Sequence, residues 1–329
     1  MVAAQRQVLP IPAGPGVSGP DVRAGYRRYA GFRTRVLEAG PVTADGRPKR
    51  RKTVHPTAPR IVLLHGYCDS ADTWRSVLAE LATAGIAAIA VDLPGFGEAA
   101  ALRPGAMLPQ LDAFTAAVIR EQAALGSVVL VGNSLGGTMS LRAAQNPALR
   151  VAGVVSISAP GFVDSWLIRT IASYPLALRV CASLPVPGVI VRTIAQQVVP
   201  RLLYADLKTA DAVHVRRFLE LFPDYQSTTS RLQEARRLIS ELAGAYQLDR
   251  ISVPLLVIAC GKDRLVSAAS GKQLHGLVPH SRLLVREDWG HCPQLDDPLA
   301  IAEVLGYFAT GALRGQTRGA PASSTEAAG

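Results

Sequence analysis

Short, continuous apolar runs alternate with longer amphipathic ones through the middle of this 329-residue chain. The runs Arg60–Leu64, Ile86–Asp92, Ser127–Val131, Val151–Ser156, Leu255–Cys260 and Arg282–Val285 are rich in Val, Ile and Leu. Continuous runs of this length predict parallel strands buried on both faces. Between them, Ala71–Ala84, Leu108–Leu125, Leu135–Gln145, Ala268–Leu277 and Pro298–Phe308 predict helices. Asp69 and Ser70 precede the first of these, where either can cap exposed N–H groups. Strand and helix in alternation predict an α/β fold with a mostly parallel, doubly wound sheet and right-handed crossovers. Phe32–Glu38 adds an antiparallel strand at the start, and no internal repeat is present.

The alternation stops between about Gly161 and Arg250. That stretch reads as helical pieces broken by prolines, carrying Trp166, Tyr174, Phe218, Phe222 and Tyr225. The strand pattern then resumes, so the excursion predicts an inserted helical cap rather than a separate domain. The Pro/Gly-rich start and the Gly/Ala/Ser/Thr-rich end predict flexible tails over 1–25 and 311–329. The core then comprises 26–160 and 251–310, with the cap over 161–250.

Hydrophobic residues make up 49% and charged residues 18%, which allows a large buried core and excludes a disordered composition. The net charge of +10 invites a nucleic-acid reading, so its location decides its meaning. Residues 1–60 hold 12 Lys/Arg against 3 Asp/Glu, whereas residues 61–329 hold 23 against 22. The excess therefore belongs to the N-terminal stretch, including Lys49-Arg50-Arg51-Lys52 in a loop-like run. Such a cluster can meet phosphate or anionic headgroups, but no interleaved aromatics or zinc-type spacing accompanies it. Cys68, Cys181, Cys260 and Cys292 are scattered with no CxxC pair, which fits a reducing compartment. Gln5, Arg6, Pro10 and Pro12 break up any signal-peptide core, and prolines and arginines interrupt the apolar stretch 170–204. These features predict a cytoplasmic protein without a transmembrane segment.

Gly132-Asn133-Ser134-Leu135-Gly136 follows Val-Val-Leu-Val and precedes a helical pattern. This is G-x-S-x-G in strand–turn–helix context, which exposes a serine above a sheet at a helix N-terminus. Leu64-His65-Gly66-Tyr67 closes an earlier strand, and Val91-Asp92-Leu93-Pro94-Gly95-Phe96-Gly97 follows the next. Together these motifs resemble the α/β-hydrolase superfamily, specifically the serine-nucleophile group with a helical cap. The resemblance runs over roughly residues 30–310. It implies Ser134 as nucleophile, with the backbone N–H groups of Tyr67 and Leu135 as oxyanion donors. It places the acid after a later strand, where Asp263 follows Leu255–Cys260, and the base after the last, where His291 stands in Trp289-Gly290-His291-Cys292. His65 and Asp92 read as structural. The remaining carboxylates Asp288, Asp296 and Asp297 read as solvated or capping groups.

The resemblance implies hydrolysis through an acyl-enzyme, with no cofactor and no metal required. Ser at position 134 speaks against haloalkane dehalogenases and epoxide hydrolases, which use a carboxylate there. Gly-Asn-Ser-Leu-Gly-Gly is similar to the elbow of meta-cleavage C–C hydrolases. Two departures weigh against that subgroup: Tyr67-Cys68-Asp69-Ser70 replaces a Gly/Pro-rich loop, and Cys292 stands where Trp follows the base. The expected substrate is a small ester or related acyl compound with an apolar portion. A ligand-binding protein of the same fold, and an anionic-surface adaptor acting through Arg47–Lys52, are the readings from other classes. No nucleic-acid partner is expected.

Overall fold

The apolar runs form strands β1 (Arg23–Tyr29), β2 (Phe32–Ala39), β3 (Pro59–Leu64), β4 (Ala87–Val91), β5 (Ser127–Asn133), β6 (Val151–Ile157), β7 (Leu255–Cys260) and β8 (Arg282–Arg286). They come from a computed structural model that describes residues 22–40, 59–163, 169, 187–220 and 224–319. The strands make one sheet in the order β1-β2-β4-β3-β5-β6-β7-β8. β1 and β2 pair antiparallel, as do β2 and β4, and every later pair is parallel. β5 therefore sits in the interior of the sheet between β3 and β6.

Helices α1 (Arg75–Thr83), α2 (Met107–Ala123), α3 (Leu135–Ala144), α7 (Ala268–Leu277) and α9 (Pro298–Gly319) cover the sheet. In β3, Ile61 and Leu63 face the layer of α1 and α9, where they meet Trp74, Leu78, Leu305 and Phe308. Val62 and Leu64 face α2 and α3, among Phe114, Val118 and Met139. Both faces are covered, which is why the strands read as continuous apolar runs. Burial of such side chains is the main stabilising term, at about 25 cal/mol per Å².

Among the described residues, three helices, α4 (Gly188–Leu203), α5 (Ala212–Glu220) and α6 (Tyr225–Leu242), lie between β6 and β7, inside the expected 161–250 excursion. They approach the carboxyl ends of the strands. Phe218 of α5 packs with Leu203, Tyr204 and Cys292, and the Tyr67 hydroxyl donates to the Arg231 carbonyl of α6 at 2.7 Å. Among the described residues no helix is long and apolar enough to cross a membrane. Arg47–Lys52, His55, Trp166, Tyr174, Cys181 and Phe222 lie outside the described residues.

Three expectations need correction. β1 starts at Arg23, inside the expected tail of 1–25. α9 continues to Gly319, past the expected tail start at 311, because Phe308, Ala309 and Ala312 still pack on the core. Ser70 occupies the N-cap position of the 3-10 turn Ala71–Trp74, yet its side chain makes no cap bond. Asp69 instead accepts the Ser70 N–H at 2.7 Å. A short helix, α8 (Pro293–Asp296), also escaped the periodicity because it is a single turn.

Part of the N-terminal positive charge is neutralised within the fold. Arg27 pairs with Glu38 and Glu121. Arg35 of β2 reaches Asp92 at 3.0 Å and Asp72 at 2.7 Å, both carboxylates being almost fully enclosed. Asp92 also accepts the N–H groups of Ala71 and Glu98 at 2.7 and 2.8 Å. It thus organises the turn after β4, as the sequence suggests, and holds the start of the 3-10 turn. Replacing Arg35 with Met strands a buried carboxylate, which typically costs about 3–5 kcal/mol. Urea unfolding of Arg35→Met should show a loss of that size, and a loss below about 1 kcal/mol would contradict the role given to this pair.

Candidate active site

The serine is delivered by a turn that only glycines permit. A Cβ on Gly132 would lie 2.0 Å from backbone atoms of Gly136, and one on Gly136 would lie 2.2 Å from the Leu64 carbonyl oxygen. Backbone therefore packs directly on backbone where β5, α3 and β3 meet. The turn drives Ser134 to φ 54° and ψ −115°. A non-glycine residue there stores strain of about 1–3 kcal/mol, sustained only by its surroundings. Those surroundings are explicit: Ser134 N donates to the Ile157 carbonyl at 2.8 Å, and Thr138 N donates to the Ser134 carbonyl at 3.0 Å.

Asp263 follows β7 and His291 follows β8, both beyond the carboxyl ends of parallel strands, where α/β sheets bind ligands. Asp263 Oδ1 accepts the N–H groups of Leu265 and Val266, each at 2.8 Å. Asp263 Oδ2 lies 2.8 Å from His291 Nδ1. The Asp263 side chain is fully enclosed and that of His291 is 6% exposed. A carboxylate only accepts, so Nδ1 carries the proton and Nε2 is left as the basic nitrogen. Lys262 N donates to the Trp289 carbonyl at 2.9 Å, which ties the loop of Asp263 to the loop of His291.

The structure therefore joins Asp263 and His291 directly. The serine is brought to them through its neighbour: Asn133 Nδ2 donates to the His291 carbonyl at 2.8 Å. Among the described residues Ser134 Oγ itself makes no hydrogen bond. Catalytic hydrogen bonds commonly tighten only when substrate is bound.

Gly66 lies against Ser134, because a Cβ there would stand 3.3 Å from Ser134 Cβ. The next N–H, that of Tyr67, has no partner among the described residues. Leu135 opens α3, so its N–H has no acceptor within the helix. His65 behaves as the sequence suggests. Its Nε2 accepts the Leu93 N–H at 2.8 Å, so its Nδ1–H donates to the Gly66 carbonyl at 2.8 Å. Complete burial pushes its pKa down, so it is a neutral strut under the loop.

Behind the serine runs a buried polar bridge. Gln294 Nε2 donates to Thr73 Oγ1 at 3.1 Å and reaches Asn133 Oδ1 at 3.3 Å. The Cys292 thiol also points at Asn133 Oδ1, at 3.8 Å. Burial above all, then the charge of Asp69, raises the Cys292 pKa well above the ordinary thiol value. Asn133, Thr73 and Gln294 are the residues of this bridge that sequence reasoning did not single out. Asn133 lies inside the G-x-S-x-G motif as a variable position, and no local pattern marks the others. The other described histidines sit elsewhere: His214 contacts Asp211 and the Asp72 carbonyl, His275 contacts Ser281, and His280 contacts the Val253 carbonyl. Asp288 pairs with Arg286, while Asp296 accepts the Ala205 and Gly290 N–H groups and Asp297 that of Ala300, as capping groups do.

Comparison with known proteins places this arrangement. Residues 59–298 match the model of the alpha/beta hydrolase fold. An esterase of Mycobacterium tuberculosis is 29% identical over 262 residues, covering 76% of this chain and 82% of that protein. A pimeloyl-[acyl-carrier protein] methyl ester esterase of Neisseria meningitidis is 28% identical over 273 residues, covering 82% of this chain and 99% of that protein. A solved structure described as a putative lipase of Acinetobacter baumannii superposes with a TM-score of 0.67 at 17% identity, covering 90% of this chain and 93% of that one. That last likeness carries the fold alone. The family match spans most of the chain and falls on a sheet with its strained serine turn at the centre, so the protein belongs to the alpha/beta hydrolase fold family.

Proposed function

We propose that this hydrolase cleaves a small ester or related acyl substrate with an apolar portion, using Ser134, His291 and Asp263 as a triad. The observation that carries the reading is the 2.8 Å contact between His291 Nδ1 and enclosed Asp263, set beside a serine in a strained turn. His291 Nε2 takes the Ser134 proton as Oγ attacks the carbonyl carbon. Asp263 holds the imidazole in the required tautomer and stabilises the imidazolium that forms. The N–H groups of Tyr67 and Leu135 receive the oxyanion, each such donor contributing about 3–4 kcal/mol. Collapse of the tetrahedral species expels the alcohol, which takes the proton from His291. Water, deprotonated by the same nitrogen, then releases the acid from the acyl-serine.

The named esterases among the relatives support ester over C–C cleavage. The helical insertion 161–250 is the proposed cap, and its apolar contacts near Cys292 support a substrate with an apolar part. The buried free thiols Cys68, Cys260 and Cys292 support a reducing, cytoplasmic setting.

Ser134→Ala should lower kcat on p-nitrophenyl esters by roughly 10^6, and near-normal turnover would refute the nucleophile. Asp263→Asn should lower kcat by roughly 10^4 while leaving the fold intact by circular dichroism, since it spoils the tautomer and not the packing. Across a series of p-nitrophenyl esters, kcat/KM should rise with acyl length by up to about fourfold per methylene that finds the pocket, from about 0.8 kcal/mol each. A flat series would contradict an apolar acyl site.

A further inference from the structure

At the end of α3 remote from Ser134 lies a cavity of about 430 Å³ that the proposed triad does not use. α3 holds 10 residues, which puts Gln145, at its C-cap, roughly 15 Å along the axis from the serine turn. α2 forms a second wall, and the chain that follows α6 forms a third through Ala245, Gln247 and Arg250.

Two side chains tie these walls together. Arg142 of α3 forks onto the Asp112 carboxylate of α2, with Nε to Oδ1 at 2.9 Å and Nη2 to Oδ2 at 2.5 Å. Its Nη1 donates to the Ala245 carbonyl at 2.5 Å, so one guanidinium reaches all three walls. Gln145 Oε1 accepts the Gln247 N–H at 2.9 Å. The wall also braces the serine turn. The Tyr246 hydroxyl donates to the Pro160 carbonyl at 2.7 Å and accepts from Thr138 Oγ1 at 2.9 Å, while Thr138 N donates to the Ser134 carbonyl.

What these contacts leave over points to a ligand. Gln145 is 9% exposed, and its Nε2 is enclosed with no partner. Thr115 of α2 is fully buried, and its hydroxyl is enclosed with no partner as well. Both residues line the cavity. Arg250 also lines it, exposed and, among the described residues, without an ion pair. Enclosed polar groups are rarely left unsatisfied. A bridging water takes up about 30 Å³. This space instead matches small-molecule sites, which run from about 300 to 1,000 Å³.

The groups left over define what fits. Gln145 Nε2 and Arg250 can only donate, and the Thr115 hydroxyl can donate, so the ligand must present acceptors. Two guanidinium groups, Arg142 and Arg250, stand against the one carboxylate of Asp112 and leave one positive charge. That exceeds the opposing charge of about one half at the C-terminus of α3, so the balance favours an anion. Ala116, Met139 and Leu149 supply buried apolar lining, which suits a short alkyl chain.

We propose that this cavity is a second binding site, which takes a carboxylate with a short alkyl chain and holds it by Gln145, Thr115 and Arg250. Such acids are the class of product that the proposed ester hydrolysis releases, yet binding here does not depend on Ser134 being the nucleophile.

Methionine methyl NMR on the full chain tests the proposal, because Met139 is one of 3 methionines and lies fully buried in the cavity lining. Hexanoate should move the Met139 signal along a saturating curve, while that of Met107, at the start of α2, stays in place. Arg250→Gln should weaken hexanoate by about tenfold or more, since a charge-assisted contact is lost from an exposed position. Thr115→Val should weaken it several-fold without lowering Tm, because valine has the same shape and gives up no protein hydrogen bond. Hexanamide, which carries no charge, should bind at least about tenfold more weakly than hexanoate. An unmoved Met139 signal at about 50 mM hexanoate overturns the proposal and leaves water as the occupant. Full affinity in both Arg250→Gln and Thr115→Val, or equal binding of hexanamide, also overturns it. Ser134→Ala should bind hexanoate as wild type does, and loss of the Met139 shift there would place the acid at the serine instead. Turnover retained by Ser134→Ala rejects the hydrolytic reading and leaves this site standing.

Discussion

Everything at this site depends on how closely three pieces of backbone approach one another. β5 can hand the chain to α3 directly above its own end only because Gly132 and Gly136 carry no side chain. The approach has two consequences. It forces Ser134 into a conformation that L-residues avoid, raising its hydroxyl above the sheet. It also presses Gly66 against the serine, so the Gly66–Tyr67 loop and Ser134 share one contact surface. Asp263 and His291 then arrive from two neighbouring strands, β7 and β8, with no further demand on the sheet.

Around that contact the protein spends its buried polar groups on geometry. Arg35 draws Asp92 and Asp72 together, which fixes the turn after β4 and the 3-10 turn that follows the Gly66–Tyr67 loop. His65, neutral and bonded at both ring nitrogens, braces the same loop from beneath. Asn133 and Gln294 connect the serine turn to the base loop. Buried networks of this kind matter most when fully satisfied, since each unpaired member is costly in a low-dielectric interior. Preorganisation of loops, rather than net stability, is the consistent outcome of these contacts.

The core strands and covering helices were legible because burial on both faces writes continuous Val/Ile/Leu runs, as in Ile61–Leu64 and Leu255–Cys260. The residues proposed as the triad, Ser134, Asp263 and His291, each fall just past such a run, and of these the structure brings Asp263 and His291 into contact. β1 was not legible: it is an edge strand with only Tyr29 buried, and its Arg-rich sequence has no alternation to detect. The hairpin it forms turns on Ala30 and Gly31, both at positive φ, and Ala-Gly is a weak turn signal. The polar bridge was hidden for a different reason. Thr73 and Gln294 are brought together from segments more than two hundred residues apart, and no local spacing records that meeting.

The central claim is that Ser134 is a reactive nucleophile, and covalent capture tests it most directly. Treatment with a fluorophosphonate followed by peptide mapping should find one phosphonyl adduct, on Ser134, and none in the Asp263→Asn, Ser134→Ala double variant. An unmodified Ser134 in the native protein, or an adduct carried by another residue, would contradict the account.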